Sequence, residues 1–441
     1  MEYTTTDQWL GGGWQWIVAA ILFGVTYFAG ITEKLSRAWA AVAAACLLIF
    51  LGIVPIGQAL STFMVWDALL LLAGMMLLTG LLGRSGIFLQ AAVRIIAWAQ
   101  GRPILLLGLM MLTGALLSAI VDQLGTILIL VPIALSTASL LRIPVFPFLA
   151  GIIISSNIGG TATLVGSTAN ILIGSSADLS FLAFISELGP LLLLILLAAT
   201  LLLMLVYRKK LTVSEKDRQH LLKQAKVAAK QAKDNRHRVI GWVVLAAATA
   251  GFLLHDWLSI PPYAVAWGGA VVMLVAGAAG SVKETVQLIE WNALAYIAGL
   301  LVVVGALQQT GIIYHLAGMA LQITEGEGKV ASQLVLWTSG LVSIAADHLA
   351  LVAGAIPLIE EMGNYLNSDS QSWTGGWWAL VLGAGLGSNA TLLGSSASIV
   401  AAGMAGKEGK PVSFWRYCAI GVPVTLLSLA ISALYLYYYH M

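Results

Sequence analysis

Two acids stand in long apolar runs, where acids are costly. Asp122 sits in Asp122-Gln-Leu-Gly-Thr126 and Asp347 in Asp347-His-Leu-Ala-Leu351. An ionised carboxylate at the centre of a bilayer costs at least about 2.5–3.5 kcal/mol. Desolvation favours the protonated form, which is the property a proton carrier uses. Each acid can also cap the helix that follows it by accepting from backbone N–H groups, and the two roles can coexist. His348 is either a hydrogen-bonded packing residue or a proton partner of Asp347. Asp122, Asp347 and His348 are therefore the proton-coupling candidates.

A second group of residues comes in two copies. Asn157 to Asn170 reads Asn-Ile-Gly-Gly-Thr-Ala-Thr-Leu-Val-Gly-Ser-Thr-Ala-Asn, and Gly387 to Ser398 reads Gly-Ser-Asn-Ala-Thr-Leu-Leu-Gly-Ser-Ser-Ala-Ser. Glycines mixed with hydroxyl and amide side chains are poor material for a continuous helix. At membrane depth a broken backbone is tolerated only inside protein or beside a polar cavity. Two Gly-interrupted hydrophobic segments at matching places in two halves point to a transporter's binding site. The substrate-binding candidates are Asn157, Thr161, Thr163, Ser167, Thr168 and Asn170 in one half. In the other they are Ser388, Asn389, Thr391, Ser395, Ser396 and Ser398. No Lys or Arg lies in these segments, so a small cation or a neutral hydroxylated solute fits better than a free dicarboxylate.

The elements that must carry these residues follow from the apolar runs. Runs long enough to cross about 30 Å of hydrocarbon fall near 14–31, 37–55, 67–83, 145–173, 188–207, 239–255, 262–280, 291–308, 375–406 and 413–437. Runs 103–141 and 330–362 carry a polar tip and read as re-entrant hairpins. Stretches 86–100 and 312–323 read as helices along the interface. The halves repeat: Trp66, Gly74, Gly86, Ser118, Asp122 and Pro132 recur 225 positions later as Trp291, Gly299, Gly311, Ser343, Asp347 and Pro357. Beyond a small insertion the offset is 228, pairing Thr163 with Thr391 and Gly166 with Gly394.

Composition agrees. Of 441 residues 59% are hydrophobic and 10% charged, with mean hydropathy +0.92, against roughly 25% charged in soluble domains. This excludes aqueous classes and predicts a multi-pass protein of the plasma (bacterial inner) membrane. Segment 208–238 holds 11 of the 22 Lys and Arg residues. By the positive-inside bias it is a cytoplasmic, partly helical linker rather than a nucleic-acid site. Threading the spans from it puts 21 of 22 basic residues inside, with Lys329 outside and both termini outside. Five crossings per half make the second half inverted. The expected organisation is an N-terminal repeat, 1–207, the linker, 208–238, and a C-terminal inverted repeat, 239–441. Cys46 and Cys418 offer no disulfide or zinc pattern and are expected as buried thiols. Met1–Asp7 lacks a basic signal n-region, so the first run is expected to be a retained span. No phosphate-binding glycine loop occurs, so no built-in ATPase is read. No enzyme activity, cofactor or metal is expected.

At these residues the chain resembles the ArsB/NhaD permeases of the ion-transporter superfamily, which also holds the P-protein and the citrate and dicarboxylate carriers. The resemblance covers nearly the whole chain. It is carried by Ser155–Gly174, by Asp122–Pro132 and by Gly387–Gly403. It implies an all-α inverted repeat with about ten spans, two hairpins and two broken helices. It also implies a scaffold, an elevator-type transport domain and often a homodimer. The chain departs from the family in having Gly166-Ser-Thr-Ala-Asn170 where Gly-Asp-Pro-Pro-Asn is common. Its hairpin tips are Asp122-Gln123 and Asp347-His348 where Asp-Asn is frequent, and the Ser-Asn-Thr tips of dicarboxylate relatives are absent. The reading closest to these residues is proton-coupled efflux of arsenite or antimonite. The alternatives are Na+/H+ exchange and, third, an organic-anion carrier. Two closed hairpins argue against a channel, and paired buried acids against an inert scaffold. Membrane lipid, the inorganic solute and H+ (or Na+) are the partners expected; a soluble ATPase partner is left open.

Overall fold

The computed structural model describes residues 13–32, 36–231, 236–278, 281–345, 348–366 and 373–439. Asp347 lies outside them. The first half contains α1 (Gln15–Thr32), α2 (Arg37–Phe50), α3 (Ile56–Gln58), α4 (Trp66–Arg84), α5 (Ile87–Trp98), α6 (Pro103–Val121), α7 (Gln123–Leu140), α8 (Phe146–Thr161), α9 (Thr168–Ala177) and α10 (Phe181–Tyr207). α11 (Glu215–Gln231) lies within the basic linker. The second half repeats the series as α12 (Arg236–Leu254), α13 (Pro262–Met273), α14 (Val282–Val286), α15 (Trp291–Gln309), α16 (Ile312–Ile323), α17 (Gly328–Ala345), α18 (His348–Tyr365), α19 (Thr374–Gly387), α20 (Ser396–Lys407) and α21 (Phe414–Tyr439). Each helix of the first half thus has its counterpart eleven labels on. Among the described residues there is no strand.

Seven of the described helices are long and apolar enough to cross a membrane, which makes the chain a multi-pass membrane protein. On α10, Leu193, Leu197, Leu201 and Leu205 form an exposed stripe at the four-residue spacing of one helix face, the face for acyl chains. By contrast α8 is buried at every residue and α19 from Gly375 onward. Helices apolar all round belong in a core, and these two form the centre of the molecule, packed on each other.

The halves interlock. α2 packs on α15 and α13 on α4, so each of these pairs takes one member from each half. Likewise α20 packs on α7 and α9 on α18. Within each half, α6 packs tightly on α8 and α17 on α19.

Two of those contacts explain a difference from the sequence reading. The breaks were expected to run from Asn157 and from Gly387. The helices in fact continue to Thr161 and Gly387, and the irregular stretches are only 162–167 and 388–395. Gly159 and Gly387 are helical because they are approach points: a Cβ on Gly159 would collide with the Ala115 backbone, and one on Gly387 with the Gly340 backbone. Small residues at such crossings let membrane helices close up. Other boundaries moved for local reasons. The expected span 37–55 stops at Phe50, where Gly52 turns the chain with φ +71°. Cys46, expected buried, is exposed on α2, and Cys418 is partly exposed.

Candidate functional site

Each hairpin tip and each break ends at a helix N-terminus, and four of these converge. The cavity there measures about 100 Å³ and is lined by the starts of α7 (Asp122, Gln123), α9 (Ser167, Thr168), α18 (His348, Leu349) and α20 (Ser396, Ala397). A helix N-terminus carries roughly half a positive charge and unsatisfied N–H groups.

Asp122 has φ 112° and ψ 169°, a region otherwise almost restricted to glycine and costing about 1–3 kcal/mol. Two bonds hold it there. The Gly125 N–H donates to Asp122 Oδ1 at 2.6 Å, and the Thr126 hydroxyl donates to the Asp122 carbonyl at 2.7 Å. Capping and an acid facing the cavity therefore coexist in one side chain. His348 is 6% exposed, and its Nδ1 lies 3.3 Å from the Gly394 carbonyl. A carbonyl can only accept, so Nδ1 carries the proton in this contact.

The breaks are built by the hydroxyls and amides read from the sequence. Ser167 caps α9 by accepting from the Asn170 N–H at 3.1 Å, and Ser395 caps α20 by accepting from the Ser398 N–H at 3.2 Å. Asn170 Nδ2 faces the carbonyls of Gly160, Thr161 and Thr163 at 2.8–3.2 Å, tying off the end of α8. Thr163 bonds the Ala119 carbonyl at 2.5 Å, and its repeat mate Thr391 bonds Ile344 at 2.6 Å. Ser118 to Ser156 (2.6 Å) and Ser343 to Ala384 (2.7 Å) are a further matched pair. At the centre Asn157 Nδ2 donates to Asn389 Oδ1 at 3.0 Å, with both residues fully buried. Thr161 and Ser388 bond carbonyls of their own helices, at Asn157 and Gly385.

The predicted residues thus divide. Asp122, His348, Ser167, Thr168 and Ser396 are brought together at the cavity. Asn157, Thr161, Thr163, Asn170, Ser388, Asn389, Thr391, Ser395 and Ser398 stand behind it as braces and caps.

Three polar or charged lining residues were not singled out: Gln123, Glu290 and Arg37. The buried Nε2 of Gln123 has no hydrogen-bond partner, which leaves a donor at the cavity wall. Arg37 corrects the expectation of a site without a fixed cation. It comes from the start of α2, outside the glycine-broken segments, and its Nη1 donates to Ser396 Oγ at 3.1 Å. Its guanidinium lies 5.4 Å from the centre of the buried Tyr296 ring. One signal was available: a cation in the first turn opposes the helix dipole, so Arg37 sits badly unless something else holds it.

Comparison with known proteins places these features. Residues 27–383 match the family model described as citrate transporter (CitMHS). An uncharacterized transporter of Mycobacterium tuberculosis is 34% identical over 425 residues, covering 96% of this chain and 98% of the relative. The arsenical pump membrane protein of Escherichia coli is 26% identical over 421 residues, covering 93% and 96%. In fold, the chain is similar to the Alcanivorax borkumensis YdaH transporter, with TM-score 0.58, 15% identity and 96% of both chains covered. It is similar also to Neisseria gonorrhoeae MtrF, with TM-score 0.60, 12% identity and 98% and 96% covered.

Proposed function

The chain belongs to the CitMHS citrate-transporter family, and from that premise we propose that it is a proton-coupled secondary transporter exporting a compact oxyacid, arsenite or antimonite. The observation that carries this reading is the cavity itself. At about 100 Å³ it is well above the roughly 10–15 Å³ that admits a single water, and it has room for a central atom with a few hydroxyls. Ser167, Thr168 and Ser396 present hydroxyls to it, Gln123 an amide donor, and Asp122 an acceptor that can also take up a proton. The arsenical pump membrane protein among the relatives supports the same substrate class.

In this reading α6–α9 and α17–α20 form the moving unit, while α2, α4, α13 and α15 form the frame. Arg37 and Glu290 mark the cytoplasmic side of the cavity, the side of the basic linker, so substrate loads from the cell interior. The termini face outward.

A second reading, a small carboxylate anion, is favoured by Arg37 and the four positive helix ends. The same features count against Na+ as the bound species. A thermal-shift series on the purified full-length protein separates them, because binding to the native state raises apparent stability. Stabilisation by arsenite or antimonite and not by citrate or Na+ is expected. Stabilisation by citrate alone would transfer the assignment to the carboxylate reading, and by Na+ alone to cation exchange.

A further inference from the structure

Arg37 is anchored on one unit and bonded to another. α2, which it begins, packs on α15, and α15 supplies the Tyr296 ring 5.4 Å from the guanidinium. The contact it makes at 3.1 Å is with Ser396, the first residue of α20 and 359 positions away. α20 packs on α7, the helix that Asp122 caps. Ser396 is partly exposed to the cavity, so its hydroxyl competes with anything that enters. A guanidinium offers five donors in a planar fork, a geometry that oxygen-rich solutes match. Among the described residues, the other charged or titratable groups lining this space are Glu290, just before α15, Asp122 and His348.

We propose that Arg37 ties α2 to the first turn of α20, and that an oxygen-bearing substrate competes with Ser396 for the guanidinium and frees α20. The proposal rests on the reading that this cavity is the transport site. It adds a specificity residue from outside the broken helices, and a way for loading to release the part of the protein that must move.

The test uses full-length protein with Arg37→Gln, Arg37→Lys, Ser396→Ala and the double variant Arg37→Gln/Ser396→Ala. Without substrate, amide hydrogen exchange at Ser398 and Ile399 is expected to be about fivefold faster in R37Q and in S396A, as for one lost hydrogen bond. Unchanged exchange in both would overturn the tie. With arsenite and citrate as probes, S396A should tighten binding of whichever stabilises the wild type. R37Q should weaken it by about tenfold or more, and R37K, which keeps the charge and guards against a folding defect, by less. S396A should add nothing once Arg37 is replaced, since the two act on one contact. If S396A weakens binding equally in both backgrounds, Ser396 is a direct ligand and the competition is refuted. If neither probe stabilises the wild type, the proposed substrates fail, and the exchange measurement still decides the tie.

Discussion

Asp122 is held in a conformation its side chain resists, and this separates its two roles. Glycine is relaxed at φ 112° and serves as an N-cap at a cost of only a few tenths of a kcal/mol. Asp122→Gly should therefore leave the melting temperature equal to or above the wild type, by up to about 1–3 kcal/mol of released strain, while proton-coupled transport is lost. A destabilised Asp122→Gly would mean that the carboxylate's bonds outweigh the strain. Asp122→Asn keeps a capping oxygen and should fold, yet lose the proton coupling measured by pH-gradient dissipation in everted vesicles. Coupled transport that survives in Asp122→Asn would reduce the residue to a cap. Asn170 is a different kind of residue: its amide faces three buried carbonyls. Asn170→Ala should cost about 1–3 kcal/mol of stability, since buried acceptors lose their donor. Residue type alone could not tell such a brace from a ligand. A Thr or Ser bonded to a neighbouring helix reads the same as one facing a substrate, which is why nine of the twelve predicted binders stand behind the cavity and three line it.

The helices meet through glycine, and sequence shows the glycine without its partner. Gly159 and Gly387 recur at the repeat offset of 228, so their equivalence was legible. Their role was not: both read as breakers, and both are helical contact points against the backbones of α6 and α17. The same distinction applies across the repeat. Beside Gly114 stands Ser155, and beside Ser339 stands Gly383. The small residue has changed sides in the second half, keeping each crossing close. Gly159→Ala should force α6 off α8 and destabilise by about 1–3 kcal/mol or more, the usual cost of overpacking. Gly403→Ala on α20, where nothing lies within 4 Å of the added carbon, should be neutral or stabilising by about 0.5–1 kcal/mol. Thermal melts of the two variants side by side check the pair, and equal melting temperatures would show that the α6–α8 crossing has slack.

At the scale of the molecule the two halves complete each other. A repeat in sequence identifies which helices correspond, but not which copy each one packs on. Here α2 pairs with α15, α13 with α4, α9 with α18 and α20 with α7. Arg37 escaped notice for the same reason, since a bond spanning 359 positions leaves no mark at either end except a cation at the wrong end of a helix. Neither half should be stable alone. Residues 1–231 and 236–441 expressed separately should aggregate, whereas co-expressed they should co-purify, because each half would lose the packing partners that the other supplies. A monodisperse single half would show that the exchange is dispensable.

The central claim is that solute passes through the cavity where α7, α9, α18 and α20 begin. Thr168→Leu puts a branched apolar side chain into that space from a partly exposed position. The most direct measurement is pH-gradient-driven arsenite uptake by everted vesicles holding equal amounts of wild type and Thr168→Leu. A fall of about tenfold or more at unchanged protein level is expected; undiminished uptake would contradict the assignment of the cavity as the transport site.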